Sequence, residues 1–355
     1  MIMNIYKSSL WFSDIDLVLS ALPELTSLNG SSVLITGSTG LICSALIDVL
    51  IRFNETYDGN IRIIAAGRNK ESIKDRFGEY SDKKYFQYVR YDASKPLDIP
   101  AAPDYIIHGA GNSSPDMIVK EPVETILANI LGIDEFLKFN KTYNVKKLLY
   151  ISSSEVYGNN RKNAPFSEND CGFFEILNPR SSYSIGKCAA ETLCISYAYE
   201  YNIDTVIARP GHIYGPTARK QDRHVSSEWA FLAASGHDII MKSDGSQLRS
   251  YVYCLDCAYA LLTILLKGSP SEAYNISNPK SVISIRQMGE ILAAEGGVKL
   301  LNSAPSNEEK KAFNPMNNSS LDGKKLSMLG FNAIFDADTG LSHTIRIIRE
   351  SGCSS

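Results

Sequence analysis

Short, mostly apolar runs recur along the chain, separated by longer stretches in which apolar residues return with helical spacing. Residues 33–36, 61–66, 86–91, 105–108, 148–152 and 205–209 are runs of the first kind. Brief continuous apolar runs suit strands buried on both faces, which is the situation inside a parallel sheet. Residues 41–53, 122–141 and 183–201 carry the helical period. Strand and helix alternate, so the pattern predicts an α/β fold with a doubly wound parallel sheet. The rhythm breaks after Pro210 into mixed segments. Residues 31–210 are therefore expected to form the main domain, and residues 211–355 a smaller, partly interleaved lobe that closes over a substrate. Residues 1–30 read as a leader with a short helix near 15–22, acting as a surface brace.

The first strand runs into Gly37-Ser38-Thr39-Gly40-Leu41-Ile42 and then a helix. Strand, glycine turn and helix in this order form a dinucleotide site. Gly37 permits the tight turn, Gly40 lets backbone approach a pyrophosphate, and the helix N-terminus faces that charge. The fold class is accordingly Rossmann-type. A third glycine would stand at Cys43. The second strand ends in Gly67-Arg68-Asn69, with no carboxylate for a ribose 2′-hydroxyl, and Arg68 suits a 2′-phosphate. The cofactor is thus NAD or NADP, with Arg68 favouring NADP. Asp92 ends the third strand as an adenine contact, and Ala110 lies between two glycines where cofactor can reach the backbone. His108 is expected to pack in the sheet.

A formal charge of -3 over 355 residues gives no field suited to nucleic acid or an anionic membrane. Seven irregularly spaced cysteines indicate reduced thiols and a cytoplasmic protein. Cys254-x-x-Cys257 has no second ligand pair, so it reads as helix packing and no metal is expected. The longest apolar run, near 258–266, is too short to span a bilayer.

The candidate chemistry lies in Ser152-Ser153-Ser154-Glu155-Val156-Tyr157-Gly158, after the fifth strand, and in Tyr183-Ser184-Ile185-Gly186-Lys187, which opens a helix. Strand ends of this kind line the ligand crevice of open α/β sheets. Lys187 follows Tyr183 by one turn on the same face. An ammonium about 4 Å from a phenol in a partly screened site contributes about 4 kcal/mol. That would bring a pKa of about 10 toward neutrality. The same spacing at Tyr80/Lys84, Tyr91/Lys95 and Tyr143/Lys147 lacks the serine-ended strand and reads as surface or chance.

Taken together, Thr36-Gly37-x-x-Gly40, Ser153 to Gly158, Tyr183-x-x-x-Lys187, Arg209-Pro210 with Tyr214-Gly215-Pro216, Asp244-Gly245-x-Gln247-x-Arg249 and the turn at 326–331 resemble the extended short-chain dehydrogenase/reductases, in particular their nucleotide-sugar epimerases, dehydratases and decarboxylases. The resemblance covers roughly residues 31–350. It implies that Tyr183 takes the proton of a sugar C4 hydroxyl, that Lys187 assists it and holds the nicotinamide ribose, and that Ser153 binds the same hydroxyl. Asn129 matches the family asparagine of the preceding helix. Arg249 would hold the substrate diphosphate, with Ser154 and His224 also near the substrate. Glu155 stands where related dehydratases keep a base for C5, but Ser154 replaces their acid. Ser-Glu resembles the UDP-glucuronate decarboxylases, whose Arg-Lys-Pro segment corresponds here to Asn318-Ser319-Ser320. The resemblance therefore implies C4 oxidation of a nucleotide-diphosphate sugar followed by epimerisation or elimination, with decarboxylation, 4-ketosugar reduction and a non-catalytic binding scaffold as the alternatives. It also implies a homodimer built on helices 122–141 and 183–201, and a place in surface polysaccharide synthesis.

Overall fold

A computed structural model describes residues 3–159, 164–306 and 316–352; Cys353 lies outside them. In the first half, α1 (Ser9–Ala21) precedes β1 (Ser32–Thr36), α2 (Leu41–Tyr57), β2 (Arg62–Gly67), α3 (Lys70–Phe77), β3 (Phe86–Arg90) and β4 (Tyr105–His108). Then come α4 (Pro115–Lys120), α5 (Pro122–Tyr143), β5 (Lys147–Ile151), α6 (Ser182–Tyr201), β6 (Thr205–Pro210) and β7 (His212–Tyr214). The second half carries α7 (Val225–Ala234), β8 (Ile239–Met241), β9 (Leu248–Tyr253), α8 (Cys254–Lys267), β10 (Ala273–Ile276), β11 (Val282–Ser284), α9 (Ile285–Gly296), β12 (Leu300–Asn302) and β13 (Asn318–Ser319), and ends in a helix, Ala337–Glu350.

Seven strands form one parallel sheet in the order β10-β6-β5-β4-β1-β2-β3. Side chains alternate across it. Val33, Ile35, Ile63, Leu149 and Val206 face a core shared with α2 and α8, while Leu34, Ile64, Ile106, Leu148 and Ile207 face α5 and α6 through Ile133, Phe136 and Cys194. Burial on both faces explains why the central strands read as mostly apolar runs, while β3 at the sheet edge carries exposed Gln87 and Arg90. β10 completes this sheet from the second half of the chain, and Cys254 and Cys257 are buried in α8 behind it. Smaller sheets, β11-β9-β13 with β7 on β9 and the pair β12-β8, form a roof beside the strand ends. Strand order reverses direction between β1 and β4, where Thr36 pairs with His108. That switch point opens the crevice at the carboxyl ends of the strands.

The first thirty residues depart from the expected surface brace. Trp11, Ile15, Val18, Leu25 and Leu28 are fully buried in the core. Asp48, at the middle of α2, accepts from Arg76 at 2.5 Å, from Tyr6 at 2.7 Å and from Trp11 Nε1 at 3.2 Å. The segment thus closes one side of α2 and covers a buried ion pair. Removing one partner of such a pair strands the other charge, so Asp48→Ala is expected to cost about 3–5 kcal/mol of unfolding free energy by urea titration. A loss under about 1 kcal/mol would mean that Arg76 escapes to solvent.

Candidate active site

The glycine turn is shaped by contact as well as by torsion. Gly37 has φ +68°, and a Cβ there would stand 2.8 Å from the carbonyl oxygen of Gly109 on the adjoining β4 turn. Cys43, in place of a third glycine, fits because Gly109 yields the space: a Cβ on Gly109 would lie 2.5 Å from Cys43 Sγ. Burial pushes that thiol up to about 12, so it packs as a neutral group. Gly40 gives α2 no side-chain cap, and Leu41 and Ile42 begin the helix. The uncapped N–H groups fit a pyrophosphate. The Thr36 hydroxyl fixes the opposite wall by accepting from the N–H groups of Gly109 and Ala110 at 3.1 and 3.0 Å. Ser38 ties the turn to β2 through Ala66 O at 3.1 Å. Arg68 is exposed beyond β2, and Asp92 is turned toward the N–H and hydroxyl of Ser94 at 3.1 and 2.8 Å. These residues form one cradle that fits a dinucleotide, with no step of chemistry of its own.

Ser153 ends the strand segment and introduces the short turn Ser154–Tyr157, in which Ser154 is buried. Its hydroxyl accepts from Glu155 N at 3.2 Å and is hydrogen-bonded to Tyr183. Tyr183 is buried at the start of α6; desolvation, helped by the charge of Glu155, pushes its phenol up to about 12 against the pull of Ser153 and Arg180. Lys187 sits differently from the sequence expectation. Its ammonium donates to Ile151 O at 2.8 Å, lies over the Tyr150 ring at 4.6 Å and is 5.9 Å from the centre of the Tyr183 ring. Burial draws Lys187 down to about 8. Behind it, Asn129 Nδ2 donates to Thr125 O at 2.8 Å while its Oδ1 is buried without a partner. A Cβ on Gly111 would stand 3.2 Å from that oxygen and 3.9 Å from Lys187 Nζ, so this glycine keeps the two groups facing one space. Of the other Tyr-x-x-x-Lys copies, Tyr91 is buried against His108 and Phe136, a core residue rather than a surface one.

Glu155 is engaged in a way its spacing did not reveal. Arg180 grips both carboxylate oxygens, Nη1 to Oε2 at 3.0 Å and Nη2 to Oε1 at 2.8 Å, and the Ser184 hydroxyl donates to Oε2 at 2.9 Å. The Nε of Arg180 is a buried donor with no partner. Arg180 was missed, although it stands three residues before Tyr183 on the turn leading into α6. On the roof, Arg249 is buried with Nη1 on Leu248 O at 2.8 Å, and burial lowers its pKa against the opposing charges of Tyr251 and Glu155. Ser319 of the Asn318-Ser319-Ser320 segment pairs with Arg249 across β13-β9, and its hydroxyl meets His212 Nε2 at 3.1 Å. His212 is drawn down to about 3 by burial and by Arg249 and His224. His224 contacts Asp222 Oδ1 at 2.6 Å and Ser113 O at 3.1 Å; burial opposes its protonation, yet Asp222 raises its pKa. Arg180, Arg249 and the Asp222-paired His224 thus all lie within electrostatic reach of Glu155.

Residues 33–277 match the NAD dependent epimerase/dehydratase family. The chain belongs to that family. A UDP-glucuronic acid decarboxylase of Arabidopsis thaliana is 30% identical over 282 residues, 79% of this chain and 80% of the relative. Among solved structures, an epimerase of Methanothermobacter thermautotrophicus superposes with TM-score 0.79 at 21% identity over 93% of this chain and 95% of that one. A dTDP-glucose 4,6-dehydratase of Streptomyces venezuelae, solved with NAD bound, gives 0.76 at 20% identity over 90% and 97%. As a member of the epimerase/dehydratase family, in its nucleotide-sugar group within the extended short-chain dehydrogenase/reductases, the protein is an enzyme that uses a nicotinamide dinucleotide. No described helix is long and apolar enough to cross a membrane, and no described group of His, Cys, Asp and Glu could hold a metal ion.

Proposed function

We propose that this enzyme acts on a nucleotide-diphosphate hexuronate, oxidises C4, and lets the resulting 4-keto acid lose its carboxylate. The observation that carries this reading is Arg180, a guanidinium set in the cleft beside Glu155 and Tyr183 with a buried Nε still unpartnered. A neutral sugar offers such a group only single hydroxyl acceptors, whereas a carboxylate matches its charge and its planar fork. The UDP-glucuronic acid decarboxylase relatives support the same substrate class.

Gly37, Ser38, Thr39, Gly40, Leu41, Ile42, Ala110 and Lys187 would hold the dinucleotide, with Asp92 near the adenine and Arg68 favouring the phosphorylated form. When bound, it supplies the acceptor for the hydrogen of C4. Tyr183, with Ser153, takes the proton of the C4 hydroxyl. Lys187 stabilises the ionised phenol, and Asn129, whose Oδ1 faces the same space, is placed to accept from its ammonium. Arg249 and His224 hold the diphosphate, and Ser154 packs beside the sugar. A 4-keto group makes the C5 carboxylate that of a β-keto acid, so carbon dioxide can leave with its electrons delocalised onto the ketone. Glu155, released when the substrate carboxylate takes over Arg180, is placed to take up a proton from solvent and deliver it to C5, where the electron pair left by carbon dioxide forms the new C–H bond.

A second reading is C4 epimerisation. It draws on the full engagement of Glu155 by Arg180 and Ser184, which leaves no free base at C5, and C4 epimerisation needs none. Incubation with UDP-, dTDP-, GDP- and CDP-linked sugars and uronates, followed by product mass, separates the readings: loss of carbon dioxide supports the first, unchanged mass the second. Loss of water, or no turnover on any acidic sugar, would end the uronate proposal.

The two longest helices also expose apolar residues on one face, among them Leu127 and Leu131 of α5 and Ile195 and Tyr199 of α6, the last 94% exposed. A homodimer formed there is expected on size-exclusion chromatography, and Leu131→Glu with Tyr199→Glu should yield monomer. A monomeric wild type would reject it. The six described thiols are all free, which supports a cytosolic setting.

A further inference from the structure

Glu191 lies one turn beyond Lys187 on α6, and both side chains are buried on the same face of the helix. Lysine and glutamate at this spacing are placed to pair. Here they do not. Lys187 Nζ donates to Ile151 O at 2.8 Å, while Glu191 gives both its oxygens to Arg209, near the end of β6. Arg209 donates from Nε to Oε1 at 2.9 Å and to Oε2 at 3.2 Å, and from Nη2 to Oε2 at 2.6 Å. Its remaining nitrogen, Nη1, donates to the Tyr157 hydroxyl at 3.0 Å and to Glu168 O at 2.9 Å, and the guanidinium lies over the Tyr157 ring at 5.1 Å. Tyr157 closes the turn that follows Ser153 and donates in turn to Asn275 Oδ1 of β10 at 2.5 Å. The guanidinium is therefore fixed from β10 and from the turn as well as from α6. It cannot follow Glu191 toward Lys187 without giving up those contacts.

The other titratable groups around Lys187 are neutral at neutral pH. On α6, Tyr183 stands at about 12, and burial raises Cys194 above its ordinary value. Cys43 of α2 stands at about 12, burial draws His108 of β4 down to about 3, and burial raises Tyr150 of β5 well above the usual phenol range. From α5 comes the uncharged Asn129. Among these groups Glu191 is the carboxylate whose charge opposes the effect of burial on Lys187. We propose that Glu191 and Arg209 are positioning residues for Lys187: Glu191 supplies the counter-charge of the buried ammonium from a distance, and Arg209, by holding both carboxylate oxygens, prevents the contact pair that would turn the ammonium away from Tyr183. The inference rests on the assignment of Lys187 as the cation that assists Tyr183.

NMR titration of the full chain, with lysine isotopically labelled at its ε-carbon and the Lys187 signal assigned by its loss in Lys187→Met, tests this without cofactor or sugar. Wild type is expected to titrate at about 8. Glu191→Gln removes the counter-charge and should lower that value, whereas Arg209→Met frees Glu191 to close on Lys187 and should raise it, each by about one pH unit or more. Both substitutions break the same buried ion pair, so a merely structural role predicts a lower melting temperature in each and no opposite movement of Lys187. Arg209→Lys keeps a cation on Glu191 and should titrate near wild type. If Arg209→Met does not fold, Arg209→Gln leaves the same uncompensated carboxylate and should give the same rise. With UDP-glucuronic acid and NAD as probes, Arg209→Met should lower kcat by about 10-fold or more with KM within about threefold, and move the remaining activity to higher pH, because Tyr183 ionises with less help. Movement of Lys187 in the same direction in both variants, or in neither, overturns the proposal. Wild-type turnover by Lys187→Met would instead remove Lys187 from the chemistry, and the proposal would fall with the reading on which it rests.

Discussion

Tyr183→Phe is expected to lower kcat by about 10³-fold, inside the ~10²–10⁴ range of a positioned acid–base group, while dinucleotide affinity and fold are retained. The phenol, at the start of α6 and hydrogen-bonded to Ser153, is the group that can both bind the C4 hydroxyl and take its proton. Ser153 can bind that hydroxyl but has no accessible ionised form, so it cannot stand in. In the protein as folded, burial and the charge of Glu155 hold Tyr183 at about 12. It is therefore protonated at neutral pH, and catalysis requires a cation to draw it down. Lys187 is the group poised for that: its ammonium is 5.9 Å from the ring centre, held by one hydrogen bond to Ile151 O and by the Tyr150 ring. A swing of the flexible lysine stem toward the phenol oxygen supplies the missing field. Lys187→Met should accordingly lose a comparable factor in kcat and shift the remaining activity to higher pH, because the phenol then ionises without help. Thermal unfolding of Tyr183→Phe should change by no more than about 1 kcal/mol, the net worth of its hydrogen bond to Ser153. Activity within tenfold of wild type would remove Tyr183 from the chemistry.

The sheet, the glycine turn and the serine-ended strand were legible because each rests on local rules. Mostly apolar runs mark buried parallel strands, and Gly37 and Gly40 mark a turn that side chains would block. Cys43 could not be read in the same way: what admits its thiol is Gly109, a residue on another strand that becomes its neighbour only when β1 and β4 pair. The leader was undervalued for a related reason. Trp11 and Tyr6 look like scattered aromatics until Asp48 and Arg76 are brought beneath them. Lys187 was placed correctly on its helix face, but its rotamer answers to Ile151 O, which one-turn spacing does not encode. Arg180 and Arg219 were out of reach because their partners lie 25 and 180 positions away along the chain. For Arg180 the missing information was an ionic partner, for Arg219 the carbonyl and hydroxyl of Thr39, contacts supplied by tertiary structure that periodicity cannot report.

Arg180→Ala is expected to raise KM for a nucleotide-diphosphate hexuronate by about 100-fold and to leave a neutral nucleotide hexose within about threefold. A bidentate guanidinium–carboxylate contact in a partly desolvated site is worth roughly 3 kcal/mol, and RT ln 100 is about 2.7. The selectivity matters more than the size of the loss. Removing Arg180 also unties Glu155, which repels an acidic sugar but not a neutral one, so the two effects add for the uronate alone. Glu155→Gln separates them. It keeps the shape of the side chain and the donor from Ser184 but frees Arg180 of its counter-charge, so binding of the uronate should tighten or hold while formation of the C5-protonated, decarboxylated product slows by about 10²-fold, the low end for loss of a proton donor. Single-turnover experiments that follow reduced nicotinamide should then show it accumulating, because C4 oxidation proceeds and the step at C5 does not. If Arg180→Ala weakens neutral and acidic sugars equally, the guanidinium serves only to orient Glu155, and the C4 epimerase reading becomes the better account of the same geometry.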